Sequence, residues 1–230
     1  SESGDILFFK GGKLRYRCHR PMRWWRFYNE LSQQLPAERQ TTISHTQKVD
    51  TDMDKIPLIS KEDAGKNAVE AWNALPFDLA LFHVTAHAED VFQPWLRFNG
   101  ASNGANTLEP LLRELAIVQA SVLSESSYEW GNHGRAALGV GASQEQLDAL
   151  IRARDIKADV FDESQQLVLR FTTEVAQIGR PSPQVLTGMS ERFTTRQIVE
   201  FVYSICTYMM NSRLAEVAGL VDGDDAEFNK

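Results

Sequence analysis

Four polar side chains able to carry protons fall within one apolar stretch, residues 108–140. Glu114 lies among leucine, isoleucine and valine residues that recur at helical spacing. Ser126, Glu129 and His133 follow, and the last two are four positions apart. Because residues at this spacing share one face of a helix, Glu129 and His133 are predicted to lie side by side. If two helices pack here as a hairpin, we expect all four groups to converge on one pocket.

A purely structural interpretation also fits these residues. Ser126 and Glu129 match a capping box, in which the carboxylate only stabilises the start of a helix. His133 could be a buried imidazole bonded to a neighbour, and Glu114 could pair with an arginine on a solvated face. A Glu in one helix combined with a Glu-His pair at the start of the next favours a functional site.

The stretch resembles the carboxymuconolactone decarboxylase and alkylhydroperoxidase D (AhpD) superfamily. The motif of that superfamily is a Glu, then a Cys-x-x-Cys, then a His four positions beyond the second Cys. Glu114 and His133 stand at the Glu and His positions, and Ser126 and Glu129 stand at the two Cys positions. The resemblance covers about residues 56–221 and includes the segments RELAIVQAS, YEWGNHGRAALGVGASQEQLDAL and VEFVYSICTYMMNSRLAEVAGL.

The resemblance implies an all-α, AhpD-like helical domain with a central helical hairpin, assembled as a homo-oligomer, either a trimer or a hexamer. Peroxidase members use the dithiol as nucleophile and redox centre. Ser126 and Glu129 cannot form a disulfide, so the sequence argues against that activity. The carboxylates and imidazole that remain suit proton transfer.

The predicted function is therefore a cofactor-free, non-redox lyase or isomerase. It would act on a small organic acid, a lactone or an enolisable, polyketide-like ring, by decarboxylation, isomerisation or cyclisation in a secondary-metabolite pathway. His133 is the expected acid or base, oriented by Glu114 or Glu129, and the other carboxylate is the second proton carrier. Two carboxylates close together in a partly apolar pocket should raise one pKa.

Seven further residues are candidates for binding the substrate. Ser126 and Tyr128 could donate hydrogen bonds to a developing oxyanion, and Trp130 could line the pocket or pack in the core. Candidates from other helices are His83, His87, Tyr208 and Asn211. His83 and His87 are spaced like zinc ligands, but the sequence offers no third ligand, so no metal is predicted.

Two alternative functions stay open. One is a thiol-dependent hydroperoxide reductase that uses Cys206 or Cys18. Cys206 lies in the apolar segment VYSICTYMM, where we expect a buried, inert thiol with a raised pKa. The other is a catalytically inactive scaffold in which the polar cluster is a satisfied structural network.

Composition excludes several classes of partner. A net charge of −7 argues against general nucleic-acid binding. Two cysteines in unrelated segments favour a reducing compartment, and we expect a cytoplasmic protein. No apolar run approaches the ~18 residues of a membrane span, so no stable membrane insertion is expected. No metal, flavin, nicotinamide or phosphate-binding motif occurs; the predicted cofactor is none and the predicted partner is a small-molecule substrate.

The chain is predicted to have three parts. Residues 1–55 form an extension and linker in which arginines and lysines alternate with aromatic residues. This segment could be a targeting peptide, contact a membrane interface, or pack over the domain or a neighbouring subunit. Residues 56–222 form the helical domain, and residues 223–230 form an acidic tail. No β-hairpin is predicted anywhere.

Overall fold

The computed structural model describes residues 55–228 in full and the backbone of residues 6–10 and 13–18. The chain divides into two compact units, Ser1–Met53 and Asp54–Lys230. This boundary lies close to residue 56, where the sequence predicts that the helical domain begins. The sequence assigns residues 1–55 a linker and a targeting, membrane-contact or packing role, and most of that segment lies outside the described residues.

The N-terminal unit contains an antiparallel pair of strands, β1 (Ile6–Lys10) and β2 (Lys13–Cys18). Ile6 pairs with Cys18 and Lys10 pairs with Lys13. The expectation of no hairpin is therefore wrong for this segment. A hairpin signal was present, because two runs rich in Ile, Phe and Tyr flank a Gly-Gly pair. In the second run, basic and apolar residues alternate, which is the pattern of a strand with one exposed face.

The second unit is helical, and no strand occurs in residues 55–228. Its α-helices are α1 (Lys66–Asn73), α2 (Ala80–Thr85), α3 (Glu89–Gly104), α4 (Pro110–Leu123), α5 (Ser127–Gly139), α6 (Gln144–Asp148), α7 (Glu163–Ile178), α8 (Pro183–Arg192) and α9 (Thr195–Ala218). A π-helical turn, Ala149–Ala153, continues α6, and a 3₁₀ helix, Asp224–Glu227, follows α9. The predicted all-α fold of this domain is confirmed. No helix in residues 55–228 is long and apolar enough to cross a bilayer.

Helix α4 is the central element. Pro110 occupies its first turn, and the Glu109 carboxylate accepts hydrogen bonds from the main-chain N–H groups of Leu111 and Leu112. Every residue from Glu114 to Val122 is buried, because α4 packs against α5, α7 and α9. Any charge on this part of α4 must therefore find its partners inside the protein.

A short turn joins α4 to α5 and makes them an antiparallel hairpin. Glu125 has a φ of 58° in this turn. Both terminal nitrogens of Arg154 contact its carboxylate at 2.9 Å. Nη1 of Arg154 also donates to the carbonyl of Val122 at 2.9 Å, which satisfies a main-chain acceptor at the end of α4. The arginine thus connects the turn to the segment after the π-helical turn.

Three apolar clusters surround α4. One joins α1, α2 and α3 through the rings of Trp72, Phe82, Phe92 and Trp95. A second fills the space between α4, α7, α8 and α9, and a third lies between α4, α5, α6 and α7. Together they fix the positions of α3, α5 and α9 relative to one another, and these helices carry most of the candidate site.

Replacing Leu115 by Ala should lower the free energy of unfolding by about 2–5 kcal/mol, because the side chain is fully buried in the third cluster. Urea denaturation monitored by circular dichroism measures the change. Leu138→Ala is the matched control, since Leu138 is 42% exposed and its truncation should cost less than about 0.5 kcal/mol. Equal losses in both variants would contradict this description of the core.

Candidate functional site

Glu114 and His133 meet across the hairpin. Nδ1 of His133 donates a hydrogen bond of 2.7 Å to Oε2 of Glu114. Nε and Nη2 of Arg113 donate to Oε1 at 3.1 and 3.0 Å. The carboxylate is only 3% exposed, and both of its oxygens have partners. The two residues predicted to converge are therefore in direct contact.

The surroundings of Glu114 keep it ionised. Burial acts to raise the pKa of Glu114, but the hydrogen bond and charge of His133, followed by those of Arg113, outweigh burial and lower this pKa below its usual value. An ionised carboxylate accepts hydrogen bonds, so Nδ1 of His133 carries the proton. In the neutral imidazole, Nε2 is then left with its lone pair free to act as a base.

Glu129 lies on the other side of the same imidazole. Its Oε2 is 3.8 Å from Nε2 of His133, and its buried Oε1 has no hydrogen-bond partner among the described residues. Burial raises the pKa of Glu129 to about 7, the charge of His133 opposes this, and the charge of Asp225 adds to it. Glu129 therefore holds a proton in a large fraction of molecules near neutral pH, whereas Glu114 does not.

The capping-box interpretation of Ser126 and Glu129 is wrong. Ser126 does precede α5 at the N-cap position, but its side chain makes no capping hydrogen bond. Its main-chain N–H donates instead to the carbonyl of Ser121 at 3.1 Å. Glu129 is thus buried without the stabilising role that a capping carboxylate would have.

A cavity of about 460 Å³ opens beside this cluster. Glu129 and His133 line one side of it. Its apolar lining consists of Leu75, Phe77, Leu79, Leu81, Phe82, Trp95 and Leu96, and its polar lining also includes Asn99, Asn103, Tyr128, Asn132, Tyr208 and Asn211. The volume is within the range of small-molecule sites.

Tyr208 presents the cavity with a hydrogen-bond donor. Its ring centroid is 4.2 Å from that of His133, with the planes at 70°. None of the described residues hydrogen-bonds its hydroxyl. Burial raises the pKa of Tyr208, and the charges of Glu129 and Glu114 raise it further, so the hydroxyl keeps its proton. Tyr208 can therefore donate to a bound molecule.

Tyr128 cannot take the donor role that the sequence suggested. Its hydroxyl donates to Oδ1 of Asp225 at 2.7 Å and accepts from the main-chain N–H of Leu81 at 3.3 Å. The same carboxylate accepts from the N–H of Ala80 at 2.7 Å and from Nδ2 of Asn132 at 2.8 Å. Tyr128 lines the cavity, but its proton is committed to Asp225.

Sequence patterns alone do not identify Asp225 and Asn132 as site residues. Asp225 was assigned to an acidic tail, yet the 3₁₀ helix places it against α2 and α5. Neither residue stands out in the sequence, since an Asp near the C-terminus and an Asn within a helix are both common on surfaces. Only the packing of the C-terminal segment brings them to the cavity.

Asn211 forms part of the cavity wall through a network of amides. Its Oδ1 accepts from Nε1 of Trp95 at 3.2 Å, and its Nδ2 donates to Oδ1 of Asn99 at 2.7 Å. Asn99 in turn donates to the carbonyl of Trp95 at 2.9 Å. The network joins α3 to α9, and it leaves one amide hydrogen of Asn211 for a ligand.

Two candidate residues from α5 and its N-cap lie outside the cavity lining. The Ser126 hydroxyl is fully buried without a hydrogen-bond partner among the described residues, and it does not line the cavity. Trp130 is partly buried against the third apolar cluster. Of the two roles considered for Trp130, the structure places it in the core packing.

The structure does not bring His83 or His87 to the cavity. Nδ1 of His83 lies 2.7 Å from the carbonyl of Ile59, and its ring stacks on Phe228 with centroids 4.0 Å apart. Nε2 of His87 lies 2.8 Å from the carbonyl of Pro57. Both imidazoles anchor the segment that precedes α1. In residues 55–228, no three His, Cys, Asp or Glu side chains are grouped to hold a metal ion.

For Cys206 the sequence predicts a buried thiol with a raised pKa, and the structure agrees only with the raised pKa. Cys206 is exposed on α9, so the prediction that it is buried is wrong. Partial desolvation nevertheless raises the pKa of its thiol, as expected. The residue does not line the cavity. The side chain of Cys18 lies outside the described residues.

Comparison with known proteins matches part of the sequence to a family. The model of the carboxymuconolactone decarboxylase family matches residues 89–164, which run from the start of α3 to the start of α7 and contain the hairpin. This part of the chain is therefore similar to the carboxymuconolactone decarboxylase family. No curated protein matches the sequence.

Two solved structures described as AhpD proteins share this helical fold, which confirms the predicted AhpD-like fold. An alkylhydroperoxidase AhpD core from Ralstonia eutropha JMP134, an uncharacterized peroxidase-related protein, has a TM-score of 0.63 and 18% identity over 74% of this chain and 93% of its own. A protein of unknown function from Agrobacterium tumefaciens, proposed as an antioxidant defence protein AhpD, has a TM-score of 0.52 and 15% identity over 59% of this chain and 92% of its own. At these identities the likeness establishes the fold alone.

Replacing Glu129 by Gln should change how stability depends on pH. In the folded protein the pKa of Glu129 is raised from 4.5 to about 7. The contribution of Glu129 to the free energy of unfolding is therefore complete below pH 4.5 and is lost as the pH rises through 7. At about 1.36 kcal/mol per pH unit, the loss is on the order of 3 kcal/mol. Urea denaturation should show the variant gaining stability relative to wild type between pH 4.5 and pH 8.

Glu191→Gln is the matched control, because Glu191 is exposed on α8. The difference in free energy of unfolding between Glu191→Gln and wild type should be the same at pH 4.5 and pH 8. A constant difference between Glu129→Gln and wild type would show that Glu129 titrates normally.

Proposed function

We propose that this protein is a cofactor-free acid–base enzyme that moves protons on a small, enolisable organic molecule. The reaction is a decarboxylation or a related isomerisation or cyclisation, in a secondary-metabolite pathway. The observation that carries the proposal is the imidazole of His133, which contacts ionised Glu114 at Nδ1 and approaches Glu129 at Nε2 beside a cavity. This arrangement supplies a base and an acid at the same place.

His133 is the proposed base. The hydrogen bond to Glu114 fixes the tautomer with its lone pair at Nε2, and the negative charge of Glu114 stabilises the imidazolium that forms when Nε2 takes a proton. Arg113 holds the carboxylate in place from its other oxygen. General acid–base catalysis of this kind contributes about 10²–10⁴-fold to a rate.

Glu129 is the proposed acid and Tyr208 the proposed donor to the enolate. With a pKa of about 7, Glu129 can deliver a proton at neutral pH and take it back from His133. The hydroxyl of Tyr208 lies beside the imidazole and keeps its own proton, so it can stabilise the oxygen that becomes negative. The remaining candidates, Asn211 and Tyr128, shape the wall.

A peroxidase is the second candidate, because the Ralstonia structure is described as peroxidase-related. A thiol peroxidase needs a thiolate at the substrate site. Cys206, the free cysteine of the described residues, is exposed, lies outside the cavity lining and has a raised pKa. These properties favour the acid–base proposal over the thiol one. A catalytically inactive scaffold is the third candidate, and the experiment below distinguishes it.

We also propose a cytoplasmic homo-oligomer, a trimer or hexamer. Exposed apolar side chains on α9 support self-association, namely Val199, Val202, Tyr203 and Val217. A free, exposed Cys206 fits a reducing compartment. Light scattering coupled to size-exclusion chromatography measures the number of subunits.

The proposal predicts that the protein exchanges the acidic protons of 2-tetralone, an uncharged enolisable ketone, for deuterium in D₂O. Loss of the base in His133→Gln should slow the exchange by about 100-fold or more. Proton NMR of the ketone measures the rate. His87→Gln is the matched control, because His87 is exposed and its imidazole hydrogen-bonds to the carbonyl of Pro57, away from the cavity.

Exchange that is equal in both histidine variants, or absent from the wild-type protein, would contradict the proposed chemistry. A wild-type protein without exchange but with normal folding favours the inactive scaffold. Hydroperoxide reduction with a thiol reductant that is lost in Cys206→Ser would instead establish the peroxidase.

A further inference from the structure

We propose that the ligand of this cavity is an uncharged, enolisable ring compound, so that the reaction is an isomerisation or ring closure and not a decarboxylation. This rests on the proposed acid–base function and narrows it. Decarboxylation requires a carboxylate to be bound next to the base. The charges around the cavity and the chemistry of its wall both oppose such a ligand.

The ionisable groups at the wall leave no cation for an anionic ligand. Glu129 lies on one side, and Asp225 lies directly behind Tyr128 and Asn132. Behind the lining, Arg113 is paired with Glu114 and Arg135 is paired with Asp222, so neither guanidinium is left for a ligand. None of the described lining residues is Lys or Arg. A carboxylate entering here would lose its hydration close to acidic groups.

The apolar part of the cavity lining is suited to a ring. Phe82 and Trp95 pack edge to face with ring centroids 5.9 Å apart. The ring centroids of Phe77 and Phe82 are 5.8 Å apart. Leu79 and Leu96 continue this apolar surface. Phe77 is 49% exposed, which places it at the mouth. Flat aromatic or conjugated rings gain contact area and favourable ring geometry on such a surface.

Neutral amides, rather than charges, provide the remaining polar contacts. Nδ2 of Asn132 gives one hydrogen to Asp225 and has a second one available. Oδ1 of Asn103 is buried without a hydrogen-bond partner among the described residues. An amide donor pairs with a ketone or lactone carbonyl, and an amide acceptor pairs with a hydroxyl. Both pairings bind an uncharged, oxygenated ring.

The reaction is balanced without an oxidant or reductant. Nε2 of His133 takes a proton from the carbon next to the carbonyl, the C–H electrons form a C=C bond, and the carbonyl π electrons move to oxygen, where Tyr208 donates a hydrogen bond. In an isomerisation, Glu129 then protonates a different carbon and later recovers a proton from His133. In ring closure, His133 deprotonates a hydroxyl, its oxygen bonds to one alkene carbon, and Glu129 protonates another.

A matched pair of probes tests the ligand class. 2-Acetylnaphthalene and 2-naphthoate share one ring system and differ by a methyl group in place of a charged oxygen. Equilibrium dialysis at pH 8 should give at least about ten-fold tighter binding of the neutral ketone, since every 1.4 kcal/mol corresponds to a factor of ten. Equal or tighter binding of 2-naphthoate would overturn the inference.

Two substitutions in the cavity wall test whether charge causes the preference for the neutral probe. Glu129→Gln removes the nearest acid, so the affinity for 2-naphthoate relative to that for 2-acetylnaphthalene should rise several-fold. Asn103→Arg adds a cation and should reverse the preference. Gln93→Arg adds the same charge on α3 outside the lining and should not change it. An unchanged ratio of the two affinities in Glu129→Gln would refute the electrostatic cause, even if Asn103→Arg fails to fold.

The binding test of the ligand class can fail independently of the exchange test of the proposed function. His133→Gln should lose exchange on 2-tetralone and still prefer the neutral probe. If the wild-type protein shows no exchange but keeps the preference, the proposed chemistry fails and the ligand class stands. If exchange is present and 2-naphthoate is preferred, the chemistry stands and the ligand class fails.

Discussion

The hydrogen bond between Glu114 and His133 is the interaction on which the site depends. It places an ionised carboxylate inside α4, a helix that is buried along its whole central part. A buried charge is tolerated only when it is paired and hydrogen-bonded, so Arg113 and His133 are both required. The same bond sets the tautomer of the imidazole and holds α5 at the distance that forms the cavity wall.

The two glutamates at the site differ because their neighbours differ. Glu114 accepts three hydrogen bonds from Arg113 and His133, so its pKa is lowered in spite of burial. Glu129 is equally buried, but its nearest positive group is 3.8 Å away and Asp225 adds a negative charge, so its pKa is raised. One helical hairpin thus holds, on the two sides of one imidazole, a carboxylate that stays ionised and a carboxyl group that titrates near neutral pH.

The hairpin does not depend on a pair of cysteines. Ser126 and Glu129 stand at the positions where the resemblance places two cysteines, and both are buried. The supporting apolar clusters do not depend on sulfur at these positions. The C-terminal 3₁₀ helix adds Asp225, which fixes Tyr128 and Asn132 at the cavity wall.

Local spacing in the sequence was sufficient to predict the helical hairpin and the meeting of Glu114 with His133, because helical periodicity fixes which residues share a face. Spacing could not show whether Glu129 caps the helix or is a buried acid, because in either case the residue follows Ser126 by three positions. It also could not place His83, Trp130 or Asp225. Their positions depend on contacts between segments distant in sequence, and only tertiary packing determines whether a polar side chain faces a cavity, a main-chain carbonyl or the core.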